Sequence, residues 1–310
     1  MKDAYYRSVS IVVVTFGVKG YLRDCLESIR SQAYPGPEVF VVDNSSPAEL
    51  VAGVVKDFPW VRLIANHGNL FYGASLNKAI ELSKSEYVLC LNDDTVLDKD
   101  FVRKAIKGFL IDGRIGMVSG RVMRPDRRTI DSCGLFLTAC RTARERGYGE
   151  PDRGQFEREG YIFGVSGACA FYKRKMLDEI KERTGYFDSR FRMFYEDLDI
   201  AWRANRRGWK AYYIPGARAY HVRGASFRPD SGLNKPLARR YLPDGLHCEL
   251  IRNRYLTLLK NDSFWGLVLH FFPIFIYDIS SLVYVLFFRP QVLKLFFTNK
   301  NASQMQSGKT

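Results

Sequence analysis

Paired cysteines are missing from this 310-residue sequence: Cys25, Cys90, Cys133, Cys140, Cys169 and Cys248 are scattered, with no C-x-x-C spacing. That argues against a disulfide framework or a zinc ribbon. Cys90 and Cys169, set in apolar strand-like runs, read as small buried hydrophobes of a reducing compartment. No G-x-x-x-x-G-K-[ST] segment occurs, and the Asp43–Ser45 turn is no dinucleotide-type glycine loop, so P-loop and dehydrogenase readings fall away. An uninterrupted Lys/Arg tail and a helix-turn-helix signature are also lacking, which sets nucleic acid aside as a partner. Before the first strand there is only Met1-Lys2-Asp3 and a few residues more, without an apolar signal segment, so a cytoplasmic location is expected. Acid is scarce relative to base: 33 Asp and Glu face 47 Lys and Arg, a net charge of +14. An anionic partner is expected, and an acidic membrane surface or a phosphorylated substrate satisfies it.

What is present is an alternation of strand and helix patterns. Strands are predicted at Val9 to Thr15, Val39 to Val42, Val61 to Ile64 and Tyr87 to Leu91. Between and after them come helices at Lys19 to Ala33, from the Asp43-Asn44-Ser45-Ser46-Pro47 turn to about Lys56, at Gly73 to Ser83 and at Phe101 to Ile111. This spacing implies an α/β fold, a mostly parallel sheet with helices on both faces and ligands beyond the carboxyl ends of the strands. Residues 124–160 are too long for an ordinary connection and read as an active-site flap or acceptor-side insertion, with a possible strand at Cys133 to Ala139. The core returns with a strand at Val165 to Tyr172, helices at Lys173 to Lys181 and Tyr195 to Arg207, and a short strand at Ala211 to Ile214.

Beyond about Lys235 the character changes. Phe264 to Phe288 is nearly all apolar, interrupted by His270, Pro273 and Asp278. One straight spanning helix would have to bury that proline and aspartate; two aromatic helices lying in the membrane interface and hinged near Pro273 satisfy the same residues at lower cost, and a helical pair packed on the soluble core or on another subunit is the third reading. The expected organisation is a catalytic domain over 1–235, with a donor half at about 8–120 and an acceptor-side half at 121–235. A helical, membrane-associated region over 236–310 would follow.

Several polar residues stand at strand ends or helix starts. Asn92-Asp93-Asp94 follows a strand, and a carboxylate there can hold a hard divalent cation shared with diphosphate oxygens; alternation favours Asp94, with Asn92 on its side and Asp93 turned away. Glu196, Asp197 and Asp199 open an amphipathic helix, where acid also merely complements the helix dipole, but one of them could act as a general base. His221 follows the Pro215-Gly216 turn and either makes an ordinary hydrogen bond or completes the cation site. Asp43 either caps the next helix or accepts a hydrogen bond from a base imino N–H.

Taken in order, Val12 to Phe16, Val41 to Ser46, Asn69-Leu70 through Asn77, Leu91 to Thr95, Val165 to Ala168, Phe187-Asp188, Phe194 to Arg203, Gly208-Trp209, Pro215 and Tyr220-His221 form a specific series. The sequence resembles the family 2 glycosyltransferases of GT-A fold, particularly the bacterial rhamnosyltransferase-like branch, over about residues 8–255. The resemblance implies a nucleotide site at Thr15, Phe16, Asp43, Ser45, Asn77, Asn92 and Asp93, and a Mg²⁺ or Mn²⁺ site at Asp94 and His221. It makes Asp197 the catalytic base, with Glu196, Asp199, Gly167 and Ala168 orienting it or facing the acceptor. It further implies inverting transfer from a nucleoside diphosphate sugar, dTDP-β-L-rhamnose, to a polyprenyl-diphosphate-linked saccharide at the cytoplasmic face of the bacterial inner membrane. A UDP-linked galactofuranose or other hexose is the alternative donor, a noncatalytic glycan- or nucleotide-binding protein is the alternative class, and homo-oligomerisation is left open. The sequence departs from the family pattern at Gly17, Phe71 and Asp93, in place of Asn, Gly and Pro.

Overall fold

Seven consecutive buried residues, Val9–Thr15, form β1, an interior strand of a ten-stranded sheet. The computed structural model describes residues 7–17, 20–45, 49–66, 68–223 and 242–298. β1 pairs in parallel with β2 (Glu38–Asp43), and β2 with β3 (Val61–Ala65). The connecting helices are α1 (Tyr21–Arg30) and α2 (Glu49–Val55), and α3 (Phe71–Leu82) leads to β4 (Tyr87–Asn92), the other parallel neighbour of β1. Alternation assigns the two faces. Ile11, Val13, Leu89 and Leu91 pack with Leu22 and Leu26, whereas Val12, Val14, Val88 and Cys90 pack with Leu76 and Ile80.

Boundaries differ from expectation where side chains find other partners. The sequence pattern carries α1 to Ala33, but Ala33 N–H instead donates to the Lys99 carbonyl (2.8 Å) and Gln32 to that of Asp98 (2.9 Å), which ends the helix at Arg30. Its expected start, Lys19, and the Ser46-Pro47 cap lie outside the described residues. After β5 (Thr95–Leu97), α4 (Phe101–Ala105) tightens into a 3₁₀ turn, Ile106–Leu110. There, a Cβ on Gly108 would sit 2.9 Å from Val118.

The strand missed by pattern is β6 (Ile115–Met123), buried throughout but interrupted by Gly116, Ser119, Gly120 and Arg121. Gly120 is required by close approach, since a Cβ would lie 2.2 Å from the Ala217 carbonyl oxygen. Arg121 anchors the following insertion through Asp152 (3.0 Å), Glu157 (2.8 Å) and the Phe156 carbonyl (2.8 Å). The insertion carries β7 (Ile130–Ser132), β8 (Leu135–Leu137), β9 (Ala143–Glu145) and β10 (Gly160–Ile162), so the strand expected at Cys133 to Ala139 is confined to β8. β11 (Cys169–Lys173) runs antiparallel between β4 and β6; it starts later than Val165 because Ser166 accepts the Cys169 N–H in a turn (3.2 Å). After α5 (Arg174–Ile180) and α6 (Glu196–Arg206), β12 (Lys210–His221) is far longer than the expected Ala211 to Ile214, and absorbs Pro215-Gly216 as an irregularity between Ile214 and Arg218. The sheet order is β10-β12-β6-β11-β4-β1-β2-β3, with β5 on β12 and β7 on β6. It is the mostly parallel, helix-flanked sheet that was expected.

Two compact units divide the chain: Met1–Phe136, Arg144–Arg192 and Glu196–Gly224 form one, and Leu137–Ala143, Met193–Tyr195 and Ala225–Thr310 the other. The expected boundary near 235 falls outside the described residues. In the second unit lie α7 (Asp244–Asn261), α8 (Phe264–Leu269), α9 (Phe271–Phe288) and α10 (Pro290–Thr298). The chain breaks at His270 rather than at Pro273, because proline in the first turn of α9 has no hydrogen bond to lose. α9, with mean hydropathy 1.9, is long and apolar enough to cross a membrane.

Candidate active site

Parallel register brings three polar strand ends to one edge: Val14 lies opposite Asn92, and Thr15 opposite Asp43. Past Asn92 the chain turns through Asp93 and Asp94 into β5, which folds back onto the end of β12 with Thr95 opposite His221. The result is a carboxylate against an imidazole, with Asp94 Oδ1 at 3.1 Å from His221 Nε2. Asn92 Nδ2 approaches the same nitrogen at 3.4 Å, whereas Asp93 Oδ2 accepts from Thr15 Oγ1 at 2.5 Å.

The other ring nitrogen is held by a residue that sequence reasoning missed. Asp131 on β7 is fully buried, accepts hydrogen bonds from His221 Nδ1 (2.8 Å) and Arg223 Nε (2.8 Å), and forms an ion pair with Arg124, whose Nε lies 3.0 Å away. Burial would raise the Asp131 pKa, but Arg223, His221 and Arg124 override it and hold the carboxyl at about 2. Burial pulls His221 down, yet its bonds to Asp131 and Asp94 win and raise it to about 9. Arg223 continues outward to Glu145 on β9 (2.7 Å). A signal for Asp131 existed in the sequence: an acid between Ile130 and Ser132-Cys133, inside a strand-like run.

Among the described residues no three His, Cys, Asp or Glu side chains converge as a complete cation cage. The donor set nevertheless fits a shared site. His221 is fixed through Nδ1, its Nε2 faces Asp94, and a hard divalent cation held by one carboxylate and one imidazole takes its other ligands from diphosphate oxygens and water.

Asp197 and Glu196 reach this edge through one turn. The Ala168 carbonyl accepts from Asn92 N–H (3.2 Å) and Thr95 Oγ1 (3.1 Å), and the preceding Gly167 N–H donates to Asp197 Oδ2 (3.3 Å). Asp197 Oδ1 accepts from Leu198 N–H (2.8 Å). Gly167 lies directly against both acids, since a Cβ there would rest in ordinary contact with Glu196 Oε1 (3.5 Å) and Asp197 Cβ (3.8 Å). Burial, and then the neighbouring carboxylate, push both above the ordinary range: Asp197 acts on Glu196, and Glu145 on Asp197. Glu196 Oε2 is buried with no hydrogen-bond partner among the described residues. Phe194 and Tyr195, just before the helix, both have positive φ (68° and 71°), a costly conformation of the kind retained at functional sites.

At the other end of the edge, Asp43 Oδ1 accepts from Ser45 N–H (2.7 Å) and Ser45 Oγ (2.5 Å), and Oδ2 is buried with no hydrogen-bond partner among the described residues. Phe16 beside it is exposed. Two candidates are engaged elsewhere. Asn77 clasps the backbone of Phe187, accepting from its N–H and donating to its carbonyl, both at 2.8 Å. Asp199 is fully buried and pairs with Arg203 at 2.9 Å. Phe71 adopts φ 64°, which accounts for glycine in the family pattern; Asn69 Oδ1 accepts its N–H at 2.7 Å.

The family described as glycosyl transferase family 2 matches residues 10–181. Poly-beta-1,6-N-acetyl-D-glucosamine synthase of Staphylococcus epidermidis is 26% identical over 214 residues, covering 67% of this chain and 48% of that protein. The Staphylococcus aureus protein of the same name is 23% identical over 224 residues, covering 68% and 49%. The chain thus spans about half the length of these relatives. Among solved structures, a mannosyltransferase from Pyrobaculum calidifontis in complex with GDP-Man and Mn²⁺ superposes with a TM-score of 0.57 at 19% identity, over 99% of this chain and 77% of the other. GalNAc-T7 with UDP, GalNAc and Mn²⁺ gives 0.58 at 13% identity, over 74% and 44%. These likenesses concern the fold, and nothing in them singles out rhamnose or a dTDP-sugar.

Proposed function

Because the chain belongs to glycosyl transferase family 2, we propose that it transfers a hexosyl group from a UDP-sugar to a saccharide hydroxyl in cell-surface polysaccharide synthesis, with inversion at the anomeric carbon. The observation that carries this reading is the single edge where Asp94 faces His221 Nε2 at 3.1 Å and the Gly167–Ala168 turn leads from Asn92 and Thr95 to Asp197. The UDP-sugar choice draws support from the N-acetylglucosamine polymer in the relatives' names. A dTDP-rhamnose donor rests on the ordered motif series alone and is the second reading.

In this mechanism Asp43 Oδ2, buried and without a partner among the described residues, accepts a base imino N–H, and Phe16 covers the base. Asp94 and His221 would hold Mg²⁺ or Mn²⁺, whose charge offsets that developing on the departing diphosphate. Asp131 keeps the His221 ring oriented with Nε2 inward. Asp197 takes the proton from the acceptor hydroxyl as its oxygen attacks opposite the diphosphate, and one displacement inverts the centre. Glu196, buried beside Asp197, is held as the neutral acid, hydrogen-bonds the acceptor and leaves Asp197 as the ionised member of the pair. Asp199 and Asn77 act structurally, one holding α6 and the other the loop before Asp188. The acceptor assigned to this reading is a lipid-linked saccharide at the cytoplasmic membrane face, consistent with the apolar α9.

The test is transfer from a panel of UDP- and dTDP-sugars, with the product's anomeric configuration read by NMR. A UDP-hexose is expected to be used with inversion. Retention would overturn the single displacement, and exclusive use of dTDP-rhamnose would replace the donor.

A further inference from the structure

The second unit answers a question that hydropathy leaves open: how an apolar 18-residue helix carrying an aspartate at its eighth position meets lipid. Asp278 is not left to the membrane. Its Oδ1 accepts from Arg254 Nε on α7 at 2.6 Å, and the same guanidinium lies over the Tyr277 ring at 4.4 Å and donates to the Cys140 carbonyl at 2.9 Å. Further along, His247 of α7 lies against Tyr284 of α9 at 5.9 Å between ring centroids, and Asp244 pairs with Arg289 just past the end of α9 at 2.7 Å. These three levels run in opposite directions along the two helices, so α7 and α9 lie antiparallel for about 15 Å at 1.5 Å per residue.

That pairing decides the geometry. The α7 stretch beside α9 includes Asp244, Glu249, Arg252, Asn253 and Arg254, and a spanning α9 would carry these groups into the hydrocarbon, with the Asp278–Arg254 pair near its centre. The remaining turns of α9, from Phe271 to Tyr277, are too short to cross alone. Meanwhile Ile274, Asp278 and Ser281 are half-buried and Val285 is buried along one stripe of α9, and Phe272, Phe275, Ile279, Leu282 and Leu286 are exposed. α8 adds Trp265 and Leu269, 75% and 78% exposed. A monomeric soluble protein rarely shows so long an unbroken apolar surface.

We propose that α8 and α9 lie in the plane of an anionic leaflet, embedding this aromatic face to the headgroup–acyl boundary while α7 stays above it. Lipid is the occupant rather than a second copy of the chain because each copy carries +14, which opposes self-association and favours an anionic surface. The proposal does not depend on the transfer reaction, since vesicle binding is measured without donor or cation.

The experiment uses the full chain with Cys140 and Cys248, its two partly exposed cysteines, replaced by serine. A bimane probe is attached singly at Phe272→Cys, Ile279→Cys and Leu286→Cys. Flotation is measured with phosphatidylcholine vesicles with and without phosphatidylglycerol, and probe depth by quenching from lipids spin-labelled at different positions. Binding should strengthen with phosphatidylglycerol and weaken with salt, and all three probes should report one shallow depth, roughly 5–10 Å into the boundary. Phe272→Ser with Phe287→Ser should weaken partition by roughly tenfold or more while leaving the thermal transition in place, since both rings are exposed. A deep Ile279 probe with the ends nearer opposite surfaces would establish spanning and overturn the proposal. Self-association without vesicle binding, or a monomer that never floats, would overturn it equally.

Discussion

Asp197 and Asp131 are the two residues whose substitution separates the parts of the proposed chemistry. Asp197→Asn keeps the size and, through its one amide oxygen, one of the two hydrogen bonds from the Gly167 and Leu198 N–H groups but removes the proton acceptor, so transfer should fall by about 10²–10⁴-fold while donor binding is unchanged. Near-parental turnover in a radiolabelled-sugar assay would remove Asp197 as base. Burial and the Glu145 charge raise its pKa, and the base form exists only above that raised value. The kcat/KM profile should therefore climb with pH on an acid limb well above the usual carboxylate value of about 4, whereas an unperturbed base would already be ionised there. Asp131→Asn should loosen the His221 ring and weaken Mn²⁺ binding by roughly ten- to hundredfold, read by paramagnetic resonance of free Mn²⁺ without any turnover. Unchanged affinity would make Asp131 a purely structural acid. The contrast in legibility has a physical cause. Asp94, Asp197 and His221 stood out because they sit at ends of elements, where side chains emerge, whereas Asp131 matters through burial and three cationic or imidazole neighbours that only the folded sheet supplies.

At the level of elements, α6 shows why one acid of an acidic first turn is structural. Asp199 and Arg203 lie one turn apart on the buried face, and Arg203 also donates to the carbonyls of Ile180 and Tyr186 (both 2.7 Å), tying α6 to the end of α5 and the loop beyond it. Arg203→Met strands a buried carboxylate and two carbonyls and should cost about 3–5 kcal/mol in urea unfolding. Adding Asp199→Leu should recover much of that loss, because the pair's own desolvation penalty disappears with it; no recovery would mean that the lost carbonyl bonds, rather than the charge, set the cost. Strands β1 to β4 were readable because their apolar runs are unbroken. β6 was not, since Gly116, Gly120 and Arg121 interrupt it for reasons of close packing and anchoring to a distant insertion. β12 was shortened in the reading by Pro215-Gly216, which the sheet absorbs as a local irregularity, and the lost residues were those that carry His221 to Asp94.

For the molecule as a whole, +14 of net charge means that any phosphate compound will be attracted, so binding alone says little about a specific donor site. Linkage to folding separates the cases. A nucleoside diphosphate that binds the native first unit through Asp94 and His221 stabilises it only when a divalent cation is present; at a hundredfold its dissociation constant the gain is about 2.7 kcal/mol, or roughly 5–10 °C in Tm for a unit of this size. Scanning calorimetry with UDP and Mn²⁺ should show that shift in the parent protein and in Asp197→Asn, and EDTA should abolish it in both. Asp94→Ala and His221→Ala should lack it at the same ligand concentration while still responding weakly to UDP in low salt. Inorganic diphosphate supplies the charge without the base, so a full shift with diphosphate would remove Asp43 and Phe16 from the donor site, and a full shift in Asp94→Ala would remove the cation from its proposed ligands.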